Sequence, residues 1–314
     1  MSEKIIPRNL VKLGTNSLVL TIPKSWIDKN KLNKGDIVYI LEKNNDIVIR
    51  TDNKPIEEIK EIIIEYSLKN HIELRSKLIS AYTTGYDLIK IKKNRDSETK
   101  AIKEAVHNLV GLEIIEQTKN FIVAHELLDI EKSSIKNITR RVDYIVRGML
   151  EDILTCKTKN EFQNIYDRDF DVNRLTFLIL RTINKALNSP TLQNSLKLTT
   201  KELMNHMVLI FNLERIGDNA KRIANINCFS KKKNTKITET IIHLTDIYAQ
   251  TLETYYKIDT KKAFALSIRN EERIISLKKI LNENLSQKQV ETIYLLQDIS
   301  RDLRDISRIV CGMA

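Results

Sequence analysis

The sequence predicts a mainly α protein, with a small β-rich module at the front, a small α/β linker domain and then two three-helix bundles. Three observations carry that expectation. Gly and Pro are scarce and unevenly placed: of 7 Gly and 4 Pro in 314 residues, Pro7, Gly14, Pro23, Gly35 and Pro55 fall at the front, whereas only Gly148, Pro190, Gly217 and Gly312 follow Glu131. Such residues punctuate short elements, and their scarcity favours long helices. Short runs rich in β-branched residues occupy the first fifty positions. Six long amphipathic segments fill the remainder.

Bulk properties limit the function classes. A chain of 314 residues implies two or three domains. No run approaches the roughly 18 apolar residues of a transmembrane segment, so none is expected. Met1-Ser2-Glu3-Lys4 has no signal-peptide core. Cys156, Cys228 and Cys311 are far apart in sequence, without C-x-x-C spacing. They read as reduced, buried thiols of a cytoplasmic protein. The net charge of +11 favours an acidic partner, nucleic acid or an anionic membrane surface.

The front module spans 1–54. Residues 5–13 and 17–22 read as strands around the turn Gly14-Thr15-Asn16, and Pro23 ends the second. Residues 25–30 give about one helical turn. Lys34-Gly35-Asp36 leads into a strand at 37–41, and Asn44-Asn45-Asp46 into another at 47–50. A unit this small buries too little surface alone, so a homodimer of paired hairpins is expected. Residues 5–27 hold Arg8, Lys12 and Lys24 but no acid, a distribution suited to phosphates. Trp26 is expected as a hydrophobic plug beneath the hairpins.

Lys12 to Trp26, with Pro23-Lys24, and then Leu32-Asn33-Lys34-Gly35-Asp36 resemble the AbrB/MazE swapped-hairpin family. The shared pattern is a basic strand, a Gly/Ser turn, a strand ending in Pro-Lys, a short helix and a Gly-Asp turn. The resemblance implies an intertwined dimer that binds DNA, with Arg8, Lys12, Asn16, Ser17 and Lys24 facing it. The cations would hold phosphates, and Arg8 or Asn16 would read a base edge. Some relatives are antitoxins or protein-interaction modules.

Residues 55–129 read as the linker domain. Helices are expected at 73–82 and 101–110, the latter ended by Gly111, and strands at 86–92, 113–117 and 121–124. Neither G-x-G-x-x-G nor G-x-x-x-x-G-K-[ST] occurs there, which argues against a nucleotide site.

Residues 130–314 hold helical segments at about 133–157, 160–188, 199–227, 235–257, 259–283 and 286–312, which divide into repeats of three helices at about 130–229 and 235–314. Thr199-x-x-Glu202 is a capping box, and 230–234 is a polar joint. Leu203, Met207, Ile210, Leu213, Gly217, Ala220 and Ala224 form one stripe. Glu214 falls about 40° from Ile210, within that stripe, and Asp218 about 80°, at its edge. Burying this charge requires a cation, either protein-borne or metallic. Asp298 and Asp302 are again four residues apart. Carboxylates at i and i+4 share a face and suit a hard metal ion, although single pairs are common on solvated helix faces.

Leu213 to Ala224, containing Glu214-Arg-Ile-Gly-Asp218, resembles the signature of PhoU domains, and Asp298 to Ile309 resembles a diverged second copy. Arg168 to Leu175 and Asn270 to Leu277 are similar to the partner motif. The resemblance implies two PhoU-type three-helix bundles whose acids, Asp169, Glu214, Asp218, Glu271, Asp298 and Asp302, hold a divalent or ferric metal ion. Asn173 and Ile275 stand where the partner motif carries its second acid. The resemblance further implies control of phosphate uptake through a phosphate ABC transporter or sensor kinase. The five histidines show no zinc-binding spacing, and His206 reads as core packing. No nucleophile-base-acid constellation is visible, so no enzyme is expected. The functions in view are a DNA-binding transcriptional regulator of phosphate homeostasis, an interaction protein whose front module only dimerises, and a metal-dependent phosphohydrolase, which the acidic clusters permit formally but for which no open-site ligand set or general base stands out.

Overall fold

The computed structural model describes residues 6–14, 17–43, 46–51, 59–66, 71–128, 134–228 and 234–313. It divides into two units, Met1–Glu58 and Ile59–Ala314.

In the first unit, β1 (Val11–Leu13) pairs antiparallel with β2 (Ser17–Val19), and β3 (Tyr39–Lys43) with β4 (Asp46–Arg50). Helix α1 (Lys24–Lys29) lies between the hairpins, which form two separate sheets. The β-β-α-β-β order is the expected one, but the first two strands are shorter. Pairing stops at Val11↔Val19, so residues 6–10 and 20–22 extend beyond the ladder. Asn16 and the 44–45 turn lie outside the described residues. Gly35 takes φ +99°, open to glycine at no steric penalty, while the Asn33 amide donates to Asp36 Oδ2 at 2.6 Å.

None of the described residues of this unit is buried. Leu13, Leu18, Ile40 and Ile47 are exposed, and Ile37 is 71% exposed. Trp26 is half-buried, not the fully covered plug expected, because one copy of the module has no second layer to close over it.

The second unit begins with a four-stranded sheet in the order β5-β6-β8-β7, formed by β5 (Glu61–Glu65), β6 (Leu88–Lys92), β7 (Leu112–Gln117) and β8 (Phe121–Glu126). Only β5 and β6 are parallel, and α2 (His71–Thr84) makes the crossover. Helix α3 (Thr99–His107) precedes the β7-β8 hairpin. The two helices bury Leu74, Leu78, Tyr82, Ile102 and Val106 with the sheet's Ile89, Ile91, Ile122 and Ala124. Strand β5 is not anticipated above, since Glu-Ile-Ile-Ile-Glu carries no alternation and its partner is supplied 27 residues later.

Helices α4 (Ile135–Asp152), α5 (Lys159–Asn188) and α7 (Thr200–Cys228) form one bundle, and α8 (Thr235–Lys257), α9 (Thr260–Ile280) and α10 (Gln287–Cys311) a second. Helix α7 packs on α10 and α4 on α8, so one apolar core runs through both. It includes Val146, Ile179, Ile216, Tyr248, Leu266 and Ile299. Caps fix the starts. The Glu202 amide donates to Thr199 Oγ1 at 3.2 Å and the Thr199 amide to Glu202 Oε2 at 2.8 Å, the expected capping box. Thr158 and Glu161 make another at α5. Two boundaries differ from expectation: α4 ends at Asp152, and a short α6 (Pro190–Leu196) follows α5. Ser189 caps α6, Pro190 occupies its first turn, and Lys197 ends it at φ 54°. Residues 230–233 lie outside the described set.

Arg181 of α5 joins the sheet region to the helices. It is fully buried and donates from Nη1 to the carbonyls of Tyr82 (2.8 Å) and Tyr86 (2.7 Å), from Nη2 to Asp87 Oδ1 (2.9 Å), and from Nε to Glu126. Burial pushes the Asp87 carboxyl up, but hydrogen bonds from Lys185 and the Lys60 amide, with the nearby charges of Lys185 and Arg181, hold it below its usual range.

The cysteines depart from expectation. Cys156 is buried, but Cys228 and Cys311, at the last turns of α7 and α10, are only partly covered. Burial, with Cys228 beside it, pushes the Cys156 thiol up to about 12, so it stays protonated and unreactive.

Candidate functional site

Four of the six predicted acids, Glu214, Asp218, Asp298 and Asp302, line the seam where α7 meets α10, while Asp169 of α5 and Glu271 of α9 are tied to it through Lys221 and Arg304. The apolar stripe of α7 is buried at Leu203, Ile210, Leu213, Gly217, Ala220 and Ala224 and half-buried at Met207. Glu214 and Asp218 leave this stripe half-covered, at the positions the helical periodicity gives them. With Asp298 and Asp302 of α10 they line a cleft of about 410 Å³, shared with Arg215, Arg301 and Arg304.

Protein cations hold most of these carboxylates. Lys221 Nζ lies 2.7 Å from Asp169 Oδ2 of α5 and 2.7 Å from Asp218 Oδ1. Burial pulls this ammonium's pKa down, yet the two hydrogen bonds keep it above its ordinary value. Arg215 reaches Asp302 at 2.5 Å, Arg301 pairs with Asp298, and Arg304 Nη1 meets Glu271 at 2.6 Å. Asn173 donates to Asp169 at 3.4 Å, so the amide in place of an acid serves as a donor.

Two carboxyls are less settled. Burial, reinforced by Asp218 and Asp169, pushes Glu214 up. At Asp302 two effects oppose one another. Its Oδ2 is buried without a hydrogen-bond partner among the described residues, whereas Arg215 is 55% exposed and its charge is screened by water. Burial wins, and Asp302 rises to about 7.

The chemistry of the donors suits a hard cation, but their arrangement fits an internal ion-pair network instead. The Lys221 ammonium stands between Asp169 and Asp218. Among the described residues no three His, Cys, Asp or Glu side chains gather as a ligand set. Sequence reasoning did not single out the cations, although Lys221 and Arg301 follow Asp218 and Asp298 by three residues, a helical pairing distance.

The proposed DNA face is distributed differently. Arg8, Lys12, Ser17 and Lys24 are all exposed, and Asn16 is outside the described residues. Lys12 pairs with Leu18 and Leu13 with Ser17 across the hairpin. Directly paired residues share a face and successive residues alternate. Lys12 and Ser17 therefore lie on opposite faces of β1-β2, and Lys24 opens α1.

A small basic hairpin module is followed by a sheet domain fused to two helix bundles that carry matched charged motifs. Comparison with known proteins agrees. Residues 11–57 match the family described as antidote-toxin recognition MazE, bacterial antitoxin, and residues 139–226 match the PhoU domain. The second match covers most of the first bundle, α4 to α7. Neither is a catalytic family. The crystal structure of PhoU from Pseudomonas aeruginosa aligns with a TM-score of 0.48 and 13% identity, over 56% of this chain and 93% of that one. No curated protein matches the chain. Among the described residues, no helix is long and apolar enough to cross a membrane.

Proposed function

We propose that this protein is a DNA-binding transcriptional regulator of phosphate homeostasis, acting in the cytoplasm as a homodimer, with its helical unit receiving the signal. The observation that carries the reading is the state of the front module. None of its described residues is buried, its strands expose Leu13, Leu18, Ile37, Ile40 and Ile47, and Arg8, Lys12 and Lys24 stand in solvent. A single copy so exposed lacks a core of its own, and a second copy interleaving its hairpins supplies one. Doubling the module doubles its exposed cations. The PhoU-type bundles supply the link to phosphate. No enzymatic step is assigned.

The test is a fluorescence-polarisation titration of the full-length protein on the promoter of the organism's own phosphate-uptake operon, at two salt concentrations. Specific binding that weakens steeply with salt is expected, because each phosphate contact contributes about 0.9 to the slope of log K against log salt. Lys12→Ala should reduce the slope by roughly 1.8 in a dimer that loses two contacts. Binding no tighter than to a random duplex would favour the second reading, in which the same exposed apolar residues only dimerise the chain. The bundles would then dock on a phosphate ABC transporter or its sensor kinase.

A further inference from the structure

A second cavity, of about 380 Å³, lies away from the acidic seam, where α4 and α7 begin and α8 ends. Its charges are unbalanced. Lys136 and Arg140 come from the first turns of α4 and Lys201 from the first turn of α7, and none of the three forms an ion pair with a described residue. Glu202 is the one acid lining it, and that carboxylate is already committed to the Thr199 amide and hydroxyl at 2.8 and 2.9 Å.

The remaining walls combine the aromatic and apolar Tyr255, Tyr256, Ile258 and Met313 with the polar Thr139, Asn205 and His206. Tyr255 is buried, and Tyr256 carries the Arg140 guanidinium 5.0 Å from its ring centre. Both rings are held from behind. The Tyr256 hydroxyl donates to Asp143 Oδ2 at 3.1 Å, and the Tyr255 hydroxyl lies 3.4 Å from His206 Nδ1. His206 is 6% exposed, and burial, with the charge of Lys136 nearby, holds its imidazole below its ordinary pKa. Thr139 adds a fully buried hydroxyl that has no hydrogen-bond partner among the described residues. Three cations without an ion pair, one of them stacked on Tyr256 and one near Glu202, outweigh the single acid and favour an anionic ligand. Fixed aromatic walls call for a flat body, and the volume falls in the range of small-molecule sites.

We propose that this cavity is an effector site for a small phosphorylated ring compound of the nucleoside mono- or diphosphate class, with Lys136, Arg140 and Lys201 on the phosphates and Tyr255 and Tyr256 against the ring. The site uses no glycine-rich loop, which is why no nucleotide motif marks it in the sequence. It is independent of the DNA-binding reading, and binding is measured without DNA.

The experiment is isothermal titration of the full-length protein with AMP, ADP, adenosine and inorganic phosphate at one ionic strength. AMP or ADP is expected to bind, with adenosine and phosphate each roughly tenfold weaker or more. The Lys136→Ala/Lys201→Ala double variant should lose roughly tenfold or more of that affinity. Both lysines are exposed and unpaired, so its circular dichroism should match that of the parent. Arg269→Ala, removing an exposed cation of α9 outside the cavity, should leave binding unchanged. Absence of nucleotide binding, or phosphate or adenosine binding as tightly as AMP, overturns the proposal. So does a double variant with unchanged affinity, or an Arg269→Ala loss as large as that of the lysine pair.

Discussion

Arg181→Met tests whether the sheet region and the helix bundles are one folding unit. The side chain is fully buried and serves two carboxylates and two carbonyls of the sheet region. Methionine preserves much of the volume but none of the donors. Asp87 keeps Lys185 at 2.9 Å and the Lys60 amide at 3.2 Å, so it is not orphaned. Glu126 is worse placed: its side chain is 4% exposed, and it retains only the Leu128 amide at 3.0 Å. Breaking a buried pair by removing one partner costs about 3–5 kcal/mol. The lower half of that range is expected here, because Lys185 shields Asp87. Urea unfolding followed by far-UV circular dichroism reads the loss. Hydrogen exchange should show β6 and β8 losing protection before α7. Adding Glu126→Gln should recover part of the loss by removing the stranded charge, a coupling that a double-mutant cycle isolates. A single-variant loss below about 1 kcal/mol, or no recovery in the double variant, would refute the assignment of Arg181 as the joint.

Three further outcomes are expected. The folded state keeps His206 below its ordinary pKa of 6.5 through burial foremost. The unfolded chain therefore takes up a proton near that value that the native state refuses, and stability falls as pH drops below it, by up to about 1.4 kcal/mol per pH unit. Comparing urea midpoints of the parent and His206→Gln between pH 7.5 and 5.5, about two units, should show the difference shrinking as pH falls; a constant difference counts against a neutral buried imidazole. Lys221→Met removes the ammonium shared by Asp169 and Asp218 and should destabilise the protein by about 1–3 kcal/mol at neutral pH. It should also create a thermal stabilisation by Mn²⁺ or Fe³⁺ larger than the parent shows, and an equal response in both would contradict the ion-pair account. Deleting residues 1–58 should leave the second unit folded on its own core while shifting the sedimentation equilibrium from dimer to monomer; a truncated dimer would place the self-association elsewhere.

The helices were legible because their period is local. The stripe from Leu203 to Ala224 can be read from spacing alone, and so can the positions of Glu214 and Asp218 on its rim. Strand β5 was not, since three consecutive isoleucines say nothing about which neighbour they will meet. Arg181 left no mark either, because its partners lie 55 to 99 residues away in sequence. Lys221 was half-legible: its spacing from Asp218 is local, but its contact with Asp169 crosses 52 residues. The cavity between α4, α7 and α8 joins residues from three distant segments, none of which forms a motif.

Asp169 and Arg181 lie on the same helix, α5, which continues unbroken from Lys159 to Asn188. Twelve residues of α-helix separate them by about 18 Å. One end is gripped by the lysine-bridged acids, the other by the carbonyls and carboxylates of the sheet region. The helix is thus a continuous strut between the two anchors, with no loop or break intervening, so the acidic seam and the sheet region are held by one unbroken helix.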